Sequence, residues 1–150
     1  MAAKRLAKRS PLAKMFAARR VEKRYLAAVA GPVEWEQITV TEPIGREEGR
    51  RPQWNVSPAG AEAETRLRVR GRGPAGVLLE AEPVTGRTNQ IRIHCAAIGH
   101  PLAGDTNYGG RAEDRLLLHA WILVFPLADG RAQTVTAPMP AEFRYFTNAG

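Results

Sequence analysis

The sequence predicts an α+β fold with a mainly antiparallel sheet and a few helices, and three observations support this class. Apolar and polar residues alternate over 63–70, which is typical of a strand with one buried face. A glycine-rich turn at 71–76 joins that segment to an apolar segment at 77–81, which is the pattern of a hairpin. Apolar residues recur at helical spacing in two segments, 10–20 and 88–99.

Length and composition indicate one globular domain over residues 1–150. Apolar residues make up 44% of the chain and charged residues 25%, which is ordinary for a folded protein. The chain has one cysteine and therefore no internal disulfide, so a reducing, cytoplasmic location is expected. No apolar run approaches the roughly 18 residues of a membrane helix, and we expect no membrane partner.

The first third of the chain predicts one helix, two strands and a loop. Ser10 can cap free N–H groups at the start of a helix over 10–20. Alternation over 25–29 predicts a strand, and the β-branched residues of 38–41 predict a second, shorter strand. Residues 42–61 are rich in glycine, proline and charge, and they predict an irregular loop.

The second half predicts another helix and a further hairpin. Thr88 is expected to cap a helix that Gly99 closes. The buried side of this helix is expected to carry Ile91, Cys95 and Ile98. Residues 116–127 are apolar on both faces and predict a central buried strand. A turn leads from it into a strand at 133–136, and 142–146 predict a terminal helical turn.

The positive charge is concentrated at the start of the chain. Lys and Arg number 22 against 15 Asp and Glu, a formal charge of +7, and residues 1–24 hold nine of these cations and one acid. Such a local positive field attracts polyanions, because each neutralised phosphate releases a counterion. A solvated helical face is the alternative. A mitochondrial transit segment also fits the basic character, although Ser10 is its single serine.

Residues 85–109 hold the candidate chemical site. Gly86 allows close approach of the backbone, and Arg87 and Arg92 lie near a helix N-terminus, where anions are favoured. Because the two arginines are five residues apart, they point in different directions on a helix. The spacing predicts one arginine directed outward to phosphate and the other inward to a buried acid. A capped helix with two surface salt bridges is the alternative.

Two motifs in this region resemble the signature of the RluA-type RNA pseudouridine synthases. They are TGRTNQIRIH at 85–94 and GHPLAGDTNYG at 99–109. The shorter matches are KRYLA at 23–27, PIGR at 43–46, LLLHAW at 116–121 and APMP at 137–140. The resemblance spans 12–146. It implies that the chain is the C-terminal portion of a pseudouridine synthase catalytic domain, with 1–24 as a basic helical segment.

The resemblance also implies a site and a reaction. Tyr25 corresponds to the family's active-site tyrosine, which stacks on the target base and can take a proton. Arg92 corresponds to the arginine that pairs with the catalytic aspartate. The residues expected to contact RNA are Arg87, Lys23, Arg24, Arg19 and Arg20. Enzymes of this family isomerise uridine to pseudouridine in structured RNA, here rRNA or tRNA, and they need no cofactor and no metal.

One part of the family pattern has no counterpart here. The family's catalytic aspartate lies in an H-R-L-D segment ahead of the basic helix, and the 150 residues contain no such segment. Asp105 is expected to support a turn, and Asn89 replaces a usual histidine. We therefore expect an N-terminally truncated chain that isomerises uridine only if the acid is supplied, with a non-catalytic RNA-binding remnant as the alternative. The segment ahead of the basic helix is expected to supply strands to the same sheet, and its absence would leave 116–127 near an incompletely covered region.

The remaining reactive side chains predict structural roles. His94, His100 and His119 lack the spacing of metal ligands, so we expect them to form hydrogen bonds. Cys95 lies on the apolar face of the second helix and is expected to be an inert thiol.

Overall fold

Antiparallel strands dominate the structure, a computed structural model that describes residues 21–147. The strands are β1 (Glu22–Val29), β2 (Gln37–Val40), β3 (Ile44–Arg46), β4 (Trp54–Val56), β5 (Thr65–Gly73), β6 (Gly76–Pro83), β7 (Leu118–Pro126) and β8 (Ala132–Thr136). The helical segments are α1 (Gln90–Ala97) and two 3-10 helices, Thr106–Tyr108 and Ala141–Phe146. The helix predicted over 10–20, with Arg19 and Arg20, lies outside the described residues.

The strands form one large sheet and one small one. The large sheet has six strands in the order β2-β5-β6-β1-β7-β8, and every neighbouring pair is antiparallel. β1 is paired on both sides, with Tyr25 opposite Ala81 of β6 and Ala120 of β7. β3 and β4 form the small sheet. This architecture confirms the predicted α+β class with a mainly antiparallel sheet.

The helix α1 covers one face of the large sheet. Leu67 and Leu79 of the sheet pack there against Ile91 and Cys95 of α1, and all four side chains are buried. α1 is eight residues long. In the part of the chain that the structure describes, no helix has the length and apolarity needed to cross a lipid bilayer.

The C-terminal 3-10 helix Ala141–Phe146 covers the opposite face. Its Phe143 and Phe146 pack against Leu26 and Leu78 of the sheet, and all four side chains are buried. Successive residues of a strand point to opposite faces, so neighbours such as Leu78 and Leu79 enter different cores. The sheet is therefore buried from both sides at its centre.

The prediction of an irregular loop over 42–61 is wrong, because this segment contains β3 and β4. Ile44 lies opposite Val56, and its side chain, 2% exposed, packs against Ala63 and Ile93 of α1. Strands of three residues flanked by glycine and proline carry little periodic signal. Their pairing is stabilised by the contact with the helix, which the local sequence does not reveal.

The turn between β5 and β6 is tighter than predicted. β5 continues to Gly73, which pairs with Gly76 across a loop of residues 74 and 75. A Cβ at Gly73 would lie 2.5 Å from the carbonyl oxygen of Tyr145. The N–H of Ala75 donates to the same oxygen over 2.9 Å. The glycine therefore allows the C-terminal segment to cross the hairpin at backbone distance.

β7 is not the central buried strand that its apolar composition predicted. It lies next to the edge of the sheet, between β1 and β8, and most of its residues are half-buried. The five residues of β8 are all exposed.

Leu79→Ala tests the core under α1. Leu79 is 0% exposed on β6, so we expect the substitution to lower the free energy of unfolding by about 2–5 kcal/mol. Urea unfolding followed by circular dichroism measures the loss. Val135→Ala, at a side chain that is 50% exposed on β8, is the control and should change stability little. Equal losses in the two variants would contradict the assignment of the core.

Candidate functional site

A cavity of about 460 Å³ opens beside the first residues of β1. This volume is within the range of small-molecule sites, about 300–1,000 Å³. Its wall includes Lys23 and Tyr25 of β1, Arg87 of the loop before α1, and Arg92 of α1. Four residues that the sequence predicted for catalysis or RNA binding therefore share one cavity.

Strand geometry decides which basic residues of β1 reach the cavity. Because side chains alternate along a strand, Lys23 and the half-buried Tyr25 line the cavity while Arg24 lies on the other face. There the guanidinium of Arg24 is 3.7 Å from the carboxylates of both Glu22 and Glu80. The structure therefore does not bring Arg24 together with the rest of the predicted site.

Arg92 is held by a buried carboxylate. Its Nε donates to Oδ2 of Asp105 over 3.0 Å, and its Nη2 donates to Oδ1 over 2.8 Å. The side chain of Asp105 is 1% exposed and that of Arg92 is 23% exposed. The hydrogen bond to Asp105 raises the pKa of Arg92 above its ordinary value. The predicted inward arginine is therefore Arg92, and its acid is Asp105.

Asp105 also supports the turn that the sequence predicted for it. Its backbone carbonyl accepts the N–H groups of Tyr108 over 3.1 Å and of Gly110 over 2.9 Å. The ring centroid of Tyr108 lies 5.1 Å from the guanidinium carbon of Arg92, a cation–π distance. The two sequence motifs thus meet in one packed arrangement around Arg92.

Arg87 is held at two points and keeps its terminal nitrogens available. Its backbone N–H donates to Oε1 of Gln90 over 3.0 Å, and its Nε donates to the carbonyl of Glu62 over 2.6 Å. Within residues 21–147 its two terminal nitrogens form no hydrogen bond and no ion pair. Arg87 is therefore the cavity arginine that can offer a fork of N–H donors to a phosphate or carboxylate.

The cavity is positive in charge. Lys23, Arg87 and Arg92 line it, and no Asp or Glu among the described residues does. The carboxylate of Asp105 pairs with Arg92 but lies outside the lining. An aromatic surface beside the available terminal nitrogens of Arg87 fits a nucleobase with its phosphate.

The start of α1 differs from the prediction that Thr88 caps the helix. Asn89 occupies the cap position with φ 54°, and no side chain forms a capping hydrogen bond there. Asparagine tolerates this left-handed backbone better than most residues. Asn89 lines the cavity, where its Oδ1 lies 3.5 Å from Nη1 of Arg92.

Sequence reasoning missed Gln90 and Thr85. Gln90 is 4% exposed and Thr85 5%, and they share a hydrogen bond of 2.6 Å under the Arg87 loop. The sequence did contain a sign of their burial, because Gln90 and His94 occupy the same helical face as the apolar residues Ile91 and Cys95. Polar residues on a buried helical face require hydrogen-bond partners, and this pattern predicts an internal network.

The buried histidine and cysteine have the structural roles that we expected. His94 is 0% exposed and hydrogen-bonds to Thr65 over 2.7 Å and to the carbonyl of Glu42 over 2.8 Å. Burial raises the pKa of Cys95 to about 12, so its thiol is not ionised at neutral pH. Within residues 21–147, no group of three or more His, Cys, Asp or Glu side chains could hold a metal ion.

A larger cleft of about 720 Å³ lies elsewhere, between β2, β4 and the C-terminal half of α1. It contains none of the residues that the sequence predicted for the site. Glu42 and Arg50 are the charged residues of its wall. The cleft therefore lacks the positive character of the cavity beside β1, which we call the Tyr25 cavity. The smaller cavity therefore contains the predicted site residues Lys23, Tyr25, Arg87 and Arg92.

Comparison with known proteins identifies relatives of this chain. A family model described as RNA pseudouridylate synthase matches residues 1–97. RNA pseudouridylate synthase domain-containing protein 1 of Mus musculus is 40% identical over 141 residues, which cover 82% of this chain and 45% of that protein. Ribosomal large subunit pseudouridine synthase D of Nitrosomonas europaea is 41% identical over 123 residues, which cover 75% of this chain and 36% of that protein. The chain spans less than half the length of these relatives.

Solved structures show the same fold. Human RNA Pseudouridylate Synthase Domain Containing 1 superposes with a TM-score of 0.73 at 33% identity, and the match covers 86% of this chain and 61% of that one. Human RNA Pseudouridylate Synthase Domain Containing 4 also superposes with a TM-score of 0.73, at 21% identity, which supports the fold alone.

Asp105→Asn tests the buried ion pair. The variant leaves Arg92 without a counter-charge, so we expect a loss of about 3 kcal/mol in the free energy of unfolding. This is the lower end of the range for a broken buried pair, because Arg92 is 23% exposed. Asp129→Asn is the matched control, since Asp129 pairs with Arg131 at the surface, and we expect no measurable change. Similar losses from both variants would refute the role of Asp105.

The pH dependence of stability tests the burial of His94. Burial lowers the pKa of His94, so the unfolded chain takes up the proton at a higher pH than the folded chain. The contribution to stability is complete above about pH 6.5 and is lost as the pH falls through the lowered folded pKa. Urea unfolding between about pH 8 and pH 5 should show this loss. His94→Gln should remove this component, whereas His100→Gln should retain it.

Proposed function

This chain belongs to the RNA pseudouridylate synthase family, and on that premise we propose that it binds structured RNA at the Tyr25 cavity as part of a uridine-isomerising site. The observation that carries the proposal is that Tyr25, Arg87 and Lys23 line one cavity whose wall contains no carboxylate among the described residues. A flipped uracil would stack on the Tyr25 ring, while Arg87 and Lys23 would contact the flanking phosphates. The family match covers the segment that holds all three residues.

The proposed reaction needs one more group. Isomerisation breaks the bond between uracil N1 and the ribose C1′, joins C1′ to uracil C5, and moves the C5 proton to solvent while N1 gains one. We propose that the Tyr25 oxygen relays the C5 proton to solvent, taking it up as its own hydroxyl proton passes to water, and that a carboxylate assists breakage of the bond at C1′. The resemblance gives the pairing with that carboxylate to Arg92, which lines the same cavity. The pair of Arg92 and Asp105 supports the wall beside it.

A non-catalytic RNA-binding role is the second candidate. It is favoured by the absence of Asp and Glu from the cavity wall within residues 21–147. In this case the aromatic and cationic side chains bind the base and the phosphates without breaking the glycosidic bond. The two candidates share the binding step and differ in turnover.

The substrate class and the location belong to the proposal as well. One relative carries the name ribosomal large subunit pseudouridine synthase D. On that name we propose an rRNA stem-loop as the first RNA to test, with a tRNA as the second. A cytoplasmic location would place the chain with either RNA.

Arg87→Ala tests RNA binding. Loss of one phosphate contact should weaken binding to a uridine-containing rRNA stem-loop about tenfold and reduce the salt slope of the binding constant by about one. Fluorescence anisotropy over a series of KCl concentrations measures both. Arg131→Ala is the control, because it removes the same charge from an exposed side chain on the β7–β8 turn. Equal weakening by both variants would show general charge attraction and would contradict a site at the cavity.

Tyr25 is tested on the same RNA. Tyr25→Ala removes the stacking surface and should weaken binding by about 1–3 kcal/mol, whereas Tyr25→Phe should bind like the natural chain. Tritium release from RNA labelled at uracil C5 then separates the two candidates. With an H-R-L-D segment of a relative supplied in trans, release by the natural chain and not by Tyr25→Phe supports the enzyme, whereas tight binding without release under the same conditions supports the RNA-binding role.

A further inference from the structure

A chain of buried hydrogen bonds runs from the end of β2 to the Arg87 loop. It connects the carbonyl of Glu42, the ring of His94, the hydroxyl of Thr65 and the amide of Gln90. His94 and Thr65 are 0% exposed and Gln90 is 4% exposed. We call the side chains of His94, Thr65 and Gln90 the polar relay. It links strand β5 to the first residue of α1.

The direction of each hydrogen bond in the polar relay follows from the carbonyl of Glu42, which His94 contacts. The Glu42 carbonyl can only accept, so Nε2 of His94 must carry the ring proton. Nδ1 of the neutral ring is then an acceptor, and the Thr65 hydroxyl donates to it over 2.7 Å. The Thr65 oxygen in turn accepts an N–H of Gln90 over 2.9 Å.

This sequence of donors and acceptors determines the orientation of the Gln90 amide. The second N–H of its Nε2 donates to the carbonyl of Glu64 over 2.8 Å. Its Oε1 therefore faces the loop, where it accepts the Thr85 hydroxyl over 2.6 Å and the backbone N–H of Arg87 over 3.0 Å. A reversed amide would present N–H groups to the Arg87 N–H and lose these bonds.

We propose that Gln90, oriented by Thr65 and His94, is a positioning residue that places Arg87 in the cavity. Gln90 holds the backbone of Arg87, and the Glu62 carbonyl holds its Nε. With both points held, the terminal nitrogens of Arg87 are preorganised for an anion, which lowers the entropy cost of binding. The consequence for RNA rests on the proposed function, whereas the placement of the Arg87 loop does not.

A double-mutant cycle tests the positioning role. Gln90→Met keeps an unbranched side chain of similar length and removes every hydrogen bond of the amide. We expect it to weaken RNA binding about tenfold in the natural chain and to have no further effect in Arg87→Ala. Equal weakening in both backgrounds would mean that Gln90 acts on the fold in general, and it would overturn the proposal.

Conservative variants and a matched control complete the binding series. Thr65→Val removes the hydroxyl that orients Gln90 and should weaken binding in the same direction, and Thr65→Ser should restore it. Cys95→Ala is the control, because Cys95 is buried on the same helix and forms no hydrogen bond with the polar relay. If Cys95→Ala weakens binding as much as Thr65→Val, loss of helix packing explains both results and the proposal fails.

Hydrogen exchange of the Arg87 amide tests the relay without RNA. The bond to Gln90 should protect this amide, and Gln90→Met or Thr65→Val should accelerate its exchange at least about tenfold while core amides of β6 stay protected. Unchanged exchange at Arg87 would overturn the positioning role. If exchange accelerates but the natural chain binds no RNA, the positioning role stands and the proposed function fails.

Discussion

The buried pair of Arg92 and Asp105 joins the two sequence motifs, and the shape of the cavity depends on it. Arg92 belongs to α1 and Asp105 to the loop that follows, so two parallel hydrogen bonds close this loop onto the helix. Tyr108 extends the attachment, because its ring lies against Arg92 and its hydroxyl donates to the carbonyl of Trp54 over 2.8 Å. One charge pair thus connects the helix, the motif loop and the β3–β4 sheet. Without it, the Arg92 side of the cavity would lose its support.

The two motif arginines have different tasks. Arg92 binds a buried carboxylate through Nε and Nη2 and makes a cation–π contact with the ring of Tyr108, so its main effect is structural and electrostatic. Arg87 is held by the side-chain amide of Gln90 and the backbone carbonyl of Glu62, and it keeps its terminal donors for the cavity. The sequence resemblance assigned pairing with the catalytic aspartate to Arg92. Arg92 lines the same cavity, and its two hydrogen bonds to Asp105 fix the position of its guanidinium group there.

Several features could be predicted from the sequence because local chemistry determines them. Strict alternation identified β5, and the spacing of the two arginines indicated that one of them turns inward. The left-handed start of α1 at Asn89 could not be predicted, since Thr88 and Asn89 are both residue types that can cap a helix and only tertiary contacts select between them. β3 and β4 were missed for a related reason: their pairing depends on the contact between Ile44 and Ile93. The motif residues were therefore identified from sequence, and their partners required the fold.

The crossing of the C-terminal segment over the β5–β6 hairpin has an evolutionary consequence. The backbone at Gly73 approaches the carbonyl of Tyr145 so closely that a methyl group would separate them, and Phe143 and Phe146 seal the core beneath. A homologue with a side chain at this hairpin position must route its tail differently and fill the vacated space with other apolar groups. Position 73 and positions 143–146 are therefore expected to covary among descendants of a common ancestor, although 70 residues separate them along the chain.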